Sequence, residues 1–287
     1  MNTVSDAETG NRILDMSGLR DSDRDRYLAS LLTPAARRGA VAALYAFNAE
    51  IARIRDVVRE PLPGEVRLQY WRDLLEGAAH GSTEANPIAA ALLDAIRIHR
   101  LPIAALSGMI EARVFDLYDD PMETTVMFEG YAGETAAALV QLASLVLDPD
   151  AAAGAATIAG HAGVAQAIAG ALLLMPTHRA RGQLYLPLEI LSAVGLDRET
   201  FLAGDDKARV SAAIEAFAGL GRDHLRKARE AGRLPRSLVP AYLPVSLSEP
   251  VLIAAQRRGA AILDGTIRPP QWRRQLRMLR AAVTGSF

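Results

Sequence analysis

The chain has 287 residues, enough for one large domain or two modest ones. Apolar residues make up 50% and charged residues 23%, which excludes a disordered chain. The net charge of −1 excludes a global basic field for nucleic acid, and the absence of cysteine excludes disulfide scaffolds and thiolate metal sites.

The N-terminal segment, residues 1–20, is polar and acidic and lacks the charged start and apolar core of a secretory signal. We therefore expect it to form a flexible tail. No repeat or low-complexity linker interrupts residues 21–287, so we expect a single domain there. Few aromatic residues and abundant alanine and leucine predict that this domain is all-α.

Apolar residues recur at helical spacing along most of the chain. The first long segment, 34–59, starts at Pro34, and we expect Pro61 and Pro63 to end it. Gly81–Asn86 is expected to be a turn. Further helices are expected, in chain order, at 66–79, 87–96, 101–118, 122–147, 151–175, 188–194, 207–231, 238–258 and 271–282.

Residues 151–175 are long enough to span a bilayer and carry no formal charge. Most of them are alanine and glycine, which insert weakly, and His161 and Gln166 would be costly in lipid. We therefore expect a central helix surrounded by other helices, and no transmembrane span. Small residues are expected at its close helix contacts: Gly163, Ala167 and Gly170.

The five histidines are scattered, and none has a histidine partner three or four residues away. A histidine metal site is therefore not expected, and we interpret His161 as a core histidine with a satisfied ring. The C-terminal helix is basic, and we interpret its charges as a solvated face, leaving open contact with an acidic partner or lipid headgroups. The arginines concerned are Arg268, Arg273, Arg274, Arg277 and Arg280.

An ordered series of short motifs resembles the squalene/phytoene synthase family over about residues 23–250. The motifs are Leu32-Thr-Pro34, Arg37-Arg38, ALYAF at 43–47, WRDLL at 71–75, NPIA at 86–89, Asp116-Leu117, FEGY at 128–131, Gln166 and YLP at 185–187. The resemblance implies an all-α, isoprenoid-synthase-like helical bundle around a central cavity. It also implies head-to-head joining of two isoprenyl diphosphates, with Mg²⁺ held by two aspartate-rich motifs.

Both aspartate-rich motifs of the family are degenerate in this chain. Ala52 and Arg53 stand where the resemblance places paired aspartates, so Asp56 alone remains of the first motif. The second motif falls within residues 151–188, which contain no Asp or Glu. One aspartate cannot hold a trinuclear Mg²⁺ cluster. The resemblance therefore favours a non-catalytic protein without a cofactor, from a branch of the family that acts in the assembly of respiratory complex I.

That branch implies a protein partner, either a complex I subunit or another assembly factor, and an isoprenoid or lipid as ligand. It implies no nucleic acid, and a location in the cytoplasm or peripheral on the inner membrane. We assign no catalytic or metal-binding residue. The former substrate cavity is expected to be lined by Asn48, Ala52, Asp56, Tyr131, Gln166, Ala169, Leu173 and Tyr185.

Two alternative functions stay open at this point. The first is an active prenyltransferase that would require Mg²⁺ and would use four arginines as positive charge near the diphosphate: Arg37, Arg38, Arg53 and Arg55. The second is a carrier that binds an isoprenoid or quinone tail in the cavity without turnover. The state of the cavity, open or packed shut, would discriminate between a binding protein and a filled core.

Overall fold

The computed structural model describes residues 16–78, 86–118 and 120–287, and in these ranges the chain is helical with no β-strand, as expected. The helices are α1 Ser17–Ser22, α2 Arg24–Leu31, α3 Ala35–Ala52, α4 Ile54–Val57, α5 Pro61–Leu75, α6 Pro87–His99, α7 Ile103–Val114, α8 Thr125–Ala132, α9 Ala138–Leu147, α10 Pro149–Gly154, α11 Ala156–Leu173, α12 Met175–Ala180, α13 Leu188–Ala193, α14 Arg198–Ala203, α15 Lys207–Glu230, α16 Val239–Tyr242, α17 Ser248–Arg258 and α18 Gln271–Thr284.

The boundary after the first long helix differs from the prediction. α3 ends at Ala52 and the short α4 follows after Arg53. Pro61 and Pro63 lie in the first turn of α5 and begin that helix, so the prediction that they end a helix is wrong. The physical reason is that the N–H groups of the first turn have no acceptor within the helix, so a proline there loses no hydrogen bond. The fixed φ angle of proline also matches the helical value.

Three further predicted helices are interrupted, and the one expected at 151–175 divides at Ala155 into α10 and α11. The segment expected at 122–147 begins at Thr125, because the Thr124 hydroxyl accepts a hydrogen bond from the Met127 N–H. A π-helical turn at Gly133–Ala137 then joins α8 to α9. The segment expected at 238–258 divides into α16 and α17, because Pro244 cannot donate a backbone hydrogen bond to the preceding turn.

α11 is the central helix of the bundle, as expected, and packs against α9, α15, α17 and the π-helical turn. Gly163 makes the close approach, since a Cβ added there would lie 2.2 Å from the Ala137 Cα. Gly170 has open space instead, so the prediction of a close contact there is wrong. α11 ends at Leu173, and Pro176 lies in the first turn of the next helix, α12.

Among the described residues, two helical stretches are long and apolar enough to cross a membrane by length and composition alone: Thr125–Leu147 and Ala156–Leu173. A third would count if the bent pair Arg236–Tyr242 and Val245–Leu263 were one span. About half of each of the two long stretches is buried inside the protein. The absence of a transmembrane span stays a prediction.

The N-terminal prediction is partly wrong. Residues 1–15, and residues 81–85 of the expected turn, lie outside the described residues. Residues 17–22 form α1, and the Leu19 side chain is buried in the hydrophobic core, so residues 17–20 do not belong to a tail. The burial of one leucine against α3 fixes a segment whose composition is otherwise polar.

Candidate functional site

A cavity of about 930 Å³ lies beside α11. Small side chains of α11 leave this space open, among them Ala167, Ala169 and Gly170. All eight residues predicted to line a cavity do line this one: Asn48, Ala52, Asp56, Tyr131, Gln166, Ala169, Leu173 and Tyr185. Asn48 and Ala169 are buried, whereas Asp56 is exposed at the rim. The cavity is therefore open, with a polar rim and a wall of small residues.

A hydrogen-bonded cluster around Asp116 forms the polar side of the cavity. The Asp116 carboxylate is buried and accepts hydrogen bonds from the Tyr185 hydroxyl at 2.7 Å and the Tyr131 hydroxyl at 2.8 Å. The Arg113 guanidinium donates to the same carboxylate at 2.9 Å and to the Tyr131 oxygen at 2.6 Å. The cluster ties the end of α7 to α8 and to the segment before α13, so it fixes the shape of this wall.

The two tyrosines are held as hydrogen-bond donors. Burial raises the pKa of Tyr131 far above its ordinary value, although the nearby Arg113 charge acts in the opposite direction. Burial also raises the pKa of Tyr185, and the Asp116 charge raises it further. Both hydroxyls therefore stay protonated at any physiological pH and donate to the Asp116 carboxylate.

Arginines neutralise the acidic residues at the rim of the cavity. Asp56 forms an ion pair with Arg181, which joins α4 to the end of α12. Asp25 forms an ion pair with Arg274 of α18. A third pair, between Asp23 and Arg26, lies within the first turn of α2. The rim thus carries both signs of charge in close pairs.

His178 is a titratable side chain of the cavity whose pKa is strongly shifted by its surroundings. Its ring lies 4.7 Å from the Tyr185 ring, centroid to centroid. Burial lowers the pKa of His178 from 6.5 to about 4, an effect that Asp116 opposes and the Arg181 charge reinforces. The imidazole is therefore neutral at pH 7 in the folded protein.

We expect His178 to make the folded state sensitive to mild acid. Its pKa is lower in the folded than in the unfolded chain, so its contribution to stability is complete above the unfolded pKa of 6.5 and falls as the pH approaches 4. The free energy of unfolding should drop by about 2 kcal/mol between about pH 7 and pH 5 from this group alone. Urea unfolding at a series of pH values measures it.

The control for this prediction is His178→Gln, which removes the titrating ring and keeps a polar side chain. The variant should be less stable than the wild type at neutral pH, but its stability should change less over the same pH interval. The remaining pH dependence then belongs to other groups, including His161. Equal pH dependence in the variant and the wild type would show that folding does not lower the pKa of His178.

A second buried polar cluster lies between α11, α15 and α8. The Nδ1 atoms of His161 and His224 are 3.1 Å apart, and the Nε2 atom of His224 lies 3.1 Å from a Glu129 carboxylate oxygen. Burial and the neighbouring His224 lower the pKa of His161. The ring of His161 is therefore partnered, as interpreted, but its partner is 63 positions away in sequence. No group of three or more side chains suited to a metal ion occurs among the described residues.

Comparison with known proteins identifies the family of this fold. The family model for squalene/phytoene synthase matches residues 19–280. The chain belongs to the squalene/phytoene synthase family. A protein of Mus musculus named NADH dehydrogenase (ubiquinone) complex I, assembly factor 6, is 32% identical over 250 residues, which are 86% of this chain and 74% of that protein. The Homo sapiens protein of that name is 33% identical over 241 residues, 83% and 72% of the two chains.

Enzymes of the squalene/phytoene synthase family are more distant in sequence. A 15-cis-phytoene synthase of Synechocystis is 28% identical over 196 residues, 64% of this chain and 58% of that protein. Among solved structures, a dehydrosqualene synthase in complex with a ligand superposes with a TM-score of 0.77 at 18% identity and covers 93% of each chain. A squalene synthase from Alicyclobacillus acidocaldarius gives a TM-score of 0.69 at 19% identity, covering 84% of this chain and 90% of that one. These structures show the fold, which confirms the expected isoprenoid-synthase-like bundle.

The residues of the cavity do not fit the Mg²⁺ cluster that squalene/phytoene synthases imply. Four of the five aspartates that line it contact an arginine, and the exception is Asp21. Asp116 also accepts two tyrosine hydroxyls, so its oxygens are already occupied. Across the cavity, α11 carries no acid and presents Ala169 and Leu173. Because Mg²⁺ requires several carboxylate and water oxygens in octahedral geometry, this lining offers no such set.

The arginines of the prenyltransferase alternative are not brought together. Arg53 and Arg55 line the cavity, but Arg37 and Arg38 do not. Arg37 contacts the His99 ring, and Arg38 donates to backbone carbonyls at the end of α2 and at Thr33. The prediction that these four arginines share a diphosphate site is therefore wrong. On α3, Arg37 faces α6 and Arg38 faces the end of α2, away from the cavity.

Sequence reasoning did not place three residues of the Asp116 cluster in the cavity: Arg113, Asp116 and Gln183. Arg113 precedes Asp116 by three positions, a spacing that brings two side chains onto one helical face and was a usable signal. The Gln183 amide donates a hydrogen bond to the Asp116 carbonyl oxygen from a segment 67 positions away in sequence. No local sequence pattern predicts such a contact.

Proposed function

We propose that this chain is a non-catalytic member of the squalene/phytoene synthase family that acts in the assembly of respiratory complex I. The observation that carries the proposal is its similarity to complex I assembly factor 6 over more than four fifths of the chain. The lining of the cavity supports the non-catalytic part, since four of its five aspartates are paired with arginines and they do not form a set of metal ligands.

Such a protein acts by binding. The proposed partner is a complex I subunit or another assembly factor, contacted through the surface of the helical bundle. The proposed location is the cytoplasm, with peripheral attachment to the inner membrane. We propose that neither nucleic acid nor a metal cofactor takes part.

The open cavity favours a second role, the binding of an isoprenoid or another lipid without turnover. The apolar wall made by Ala167, Ala169, Gly170 and Leu173 suits a hydrocarbon tail. The paired charges at the rim, such as Asp56 and Arg181, suit a polar headgroup. A lipid bound in this way would serve as a structural ligand or as a cargo of the assembly protein.

The proposed function is tested by deleting the gene in its source organism and measuring the amount of assembled complex I. We expect the deletion to lower that amount and the wild-type gene to restore it. Asp56→Asn should restore it as well, because Asp56 is half-exposed and forms a surface ion pair that contributes less than about 1 kcal/mol.

Asp116→Asn is the matched comparison, because it makes the same substitution at a buried aspartate of the same cavity. We expect this variant to fail to restore complex I, since the cavity wall depends on the Asp116 cluster. Normal complex I in the deletion strain would contradict the proposed function. Loss of complex I with folded Asp56→Asn would show that Asp56 belongs to a working site.

A further inference from the structure

α18 leaves a line of apolar side chains in solvent. Trp272, Leu276, Leu279 and Val283 are 59%, 60%, 49% and 77% exposed. At 3.6 residues per turn these four positions fall within an arc of about 60°. The opposite side of the helix is seated on the protein through the buried Met278 and Ala281. α18 therefore has two apolar faces. One packs on the helical bundle, and the other is exposed to solvent.

The charge around this exposed stripe has one sign. Residues 265–287 contain five arginines and no acid. Arg274 and Arg277 form ion pairs with Asp25 and Glu249 and so hold α18 on the bundle. Arg273 and Arg280 are exposed and flank the stripe, and neither forms a salt bridge within the part of the chain that the structure describes.

We infer that α18 docks this protein on the surface of an anionic lipid bilayer. An exposed helix with an apolar stripe of tryptophan and leucine beside arginines has the chemistry of an interfacial membrane helix. The apolar side chains enter the boundary between headgroups and acyl chains, and Arg273 and Arg280 contact the lipid phosphates. The Arg273 guanidinium already lies 5.1 Å from the Trp272 ring centroid, so the two act as one amphipathic unit.

The position of α18 connects this surface to the cavity. Arg268, three residues before the helix, lines the cavity rim, and Asp25 of the same rim is paired with Arg274 of α18. Docking through the stripe therefore brings the bilayer to a helix that adjoins the cavity rim. This inference rests on the membrane-surface location in the proposed function and is independent of the role in complex I assembly.

Vesicle binding tests the inference on the whole protein. Vesicles of phosphatidylglycerol should bind the purified chain, and vesicles of phosphatidylcholine should bind it far less. Trp272 gives a direct signal, because the other tryptophan, Trp71, is 4% exposed and buried in the core. We expect the tryptophan emission to shift to the blue on binding, and Trp272→Phe to remove the shift while binding persists.

Matched variants assign the binding to α18. Leu276→Ser with Leu279→Ser should weaken binding by about tenfold or more, because two side chains that enter the membrane are lost. Leu62→Ser with Val66→Ser is the control, since both side chains are exposed apolar residues of α5. Arg273→Gln with Arg280→Gln should weaken binding by about fivefold per arginine at low salt, and the exposed pair Arg67→Gln with Arg257→Gln should not.

The inference is overturned if the wild type does not bind phosphatidylglycerol vesicles at low salt, or if the α5 variant loses as much binding as the α18 variant. It is also overturned if the stripe mediates self-association or capture of a protein and the vesicles have no effect. The two tests can give different answers. If the protein binds vesicles through α18 but the deletion strain has normal complex I, the role in complex I assembly is rejected and the membrane-docking inference stands.

Discussion

Asp116→Asn is expected to lower the free energy of unfolding by about 3–5 kcal/mol. The Asp116 carboxylate balances the positive charge of the Arg113 guanidinium, and both side chains are largely buried. The substitution leaves that positive charge without a counter-charge and takes an acceptor from the hydroxyls of Tyr131 and Tyr185. Urea unfolding followed by circular dichroism measures the loss.

Asp56→Asn is the matched control for this measurement, since it removes the charge of an aspartate at the exposed rim. We expect its effect to stay below about 1 kcal/mol, because water solvates the Arg181 charge that is left behind. A double variant that replaces both Arg113 and Asp116 by uncharged residues should recover part of the lost stability. If Asp116→Asn and Asp56→Asn lowered the free energy of unfolding equally, the Asp116 cluster would be solvated.

Gly163→Ala is expected to destabilise the protein by about 1–3 kcal/mol or more. The added Cβ would lie 2.2 Å from the Ala137 Cα and 2.4 Å from its backbone nitrogen. Backbone atoms cannot move aside as the end of a flexible side chain does, so α11 must separate from the π-helical turn at Gly133–Ala137. Thermal unfolding should show the change as a lower Tm.

Gly170→Ala makes the same substitution seven residues later in the same helix. A Cβ added there meets no atom within 4 Å, because the position lines the cavity. Alanine has a higher helix propensity than glycine, so this variant should be as stable as the wild type or more stable by about 0.5–1 kcal/mol. A Gly163→Ala variant as stable as Gly170→Ala would contradict the packing of α11 described above.

Much of the fold could be predicted from the sequence because helical periodicity is a local signal. The long amphipathic helix α15 and the basic helix α18 begin at the predicted residues, where Asp206 and Pro270 precede them. Prolines were harder to interpret, since one residue can end a helix or begin the next. The φ angle and the missing N–H of Pro61 are compatible with the end of one helix and with the start of the next. Only the packing of α5 determines that Pro61 begins a helix.

The cavity could be predicted only through the resemblance to a family, and its polar interactions could not. The eight expected residues come from α3, α4, α8 and α11 and from the non-helical segment around Tyr185, and the family pattern placed them together. Contacts between distant segments have no periodic signal, as the pair His161 and His224 shows. The same holds for Asp56 and Arg181, which pair across 125 positions of sequence.

The central proposal is that the open cavity offers no set of carboxylates that could hold the Mg²⁺ ions of a synthase. The most direct test incubates the purified protein with farnesyl or geranylgeranyl diphosphate and Mg²⁺ and measures the head-to-head product. We expect no product, because no set of carboxylates in the cavity can hold the ions that accept the leaving diphosphate. Product formation at rates of about 1 s⁻¹ or above would contradict the account.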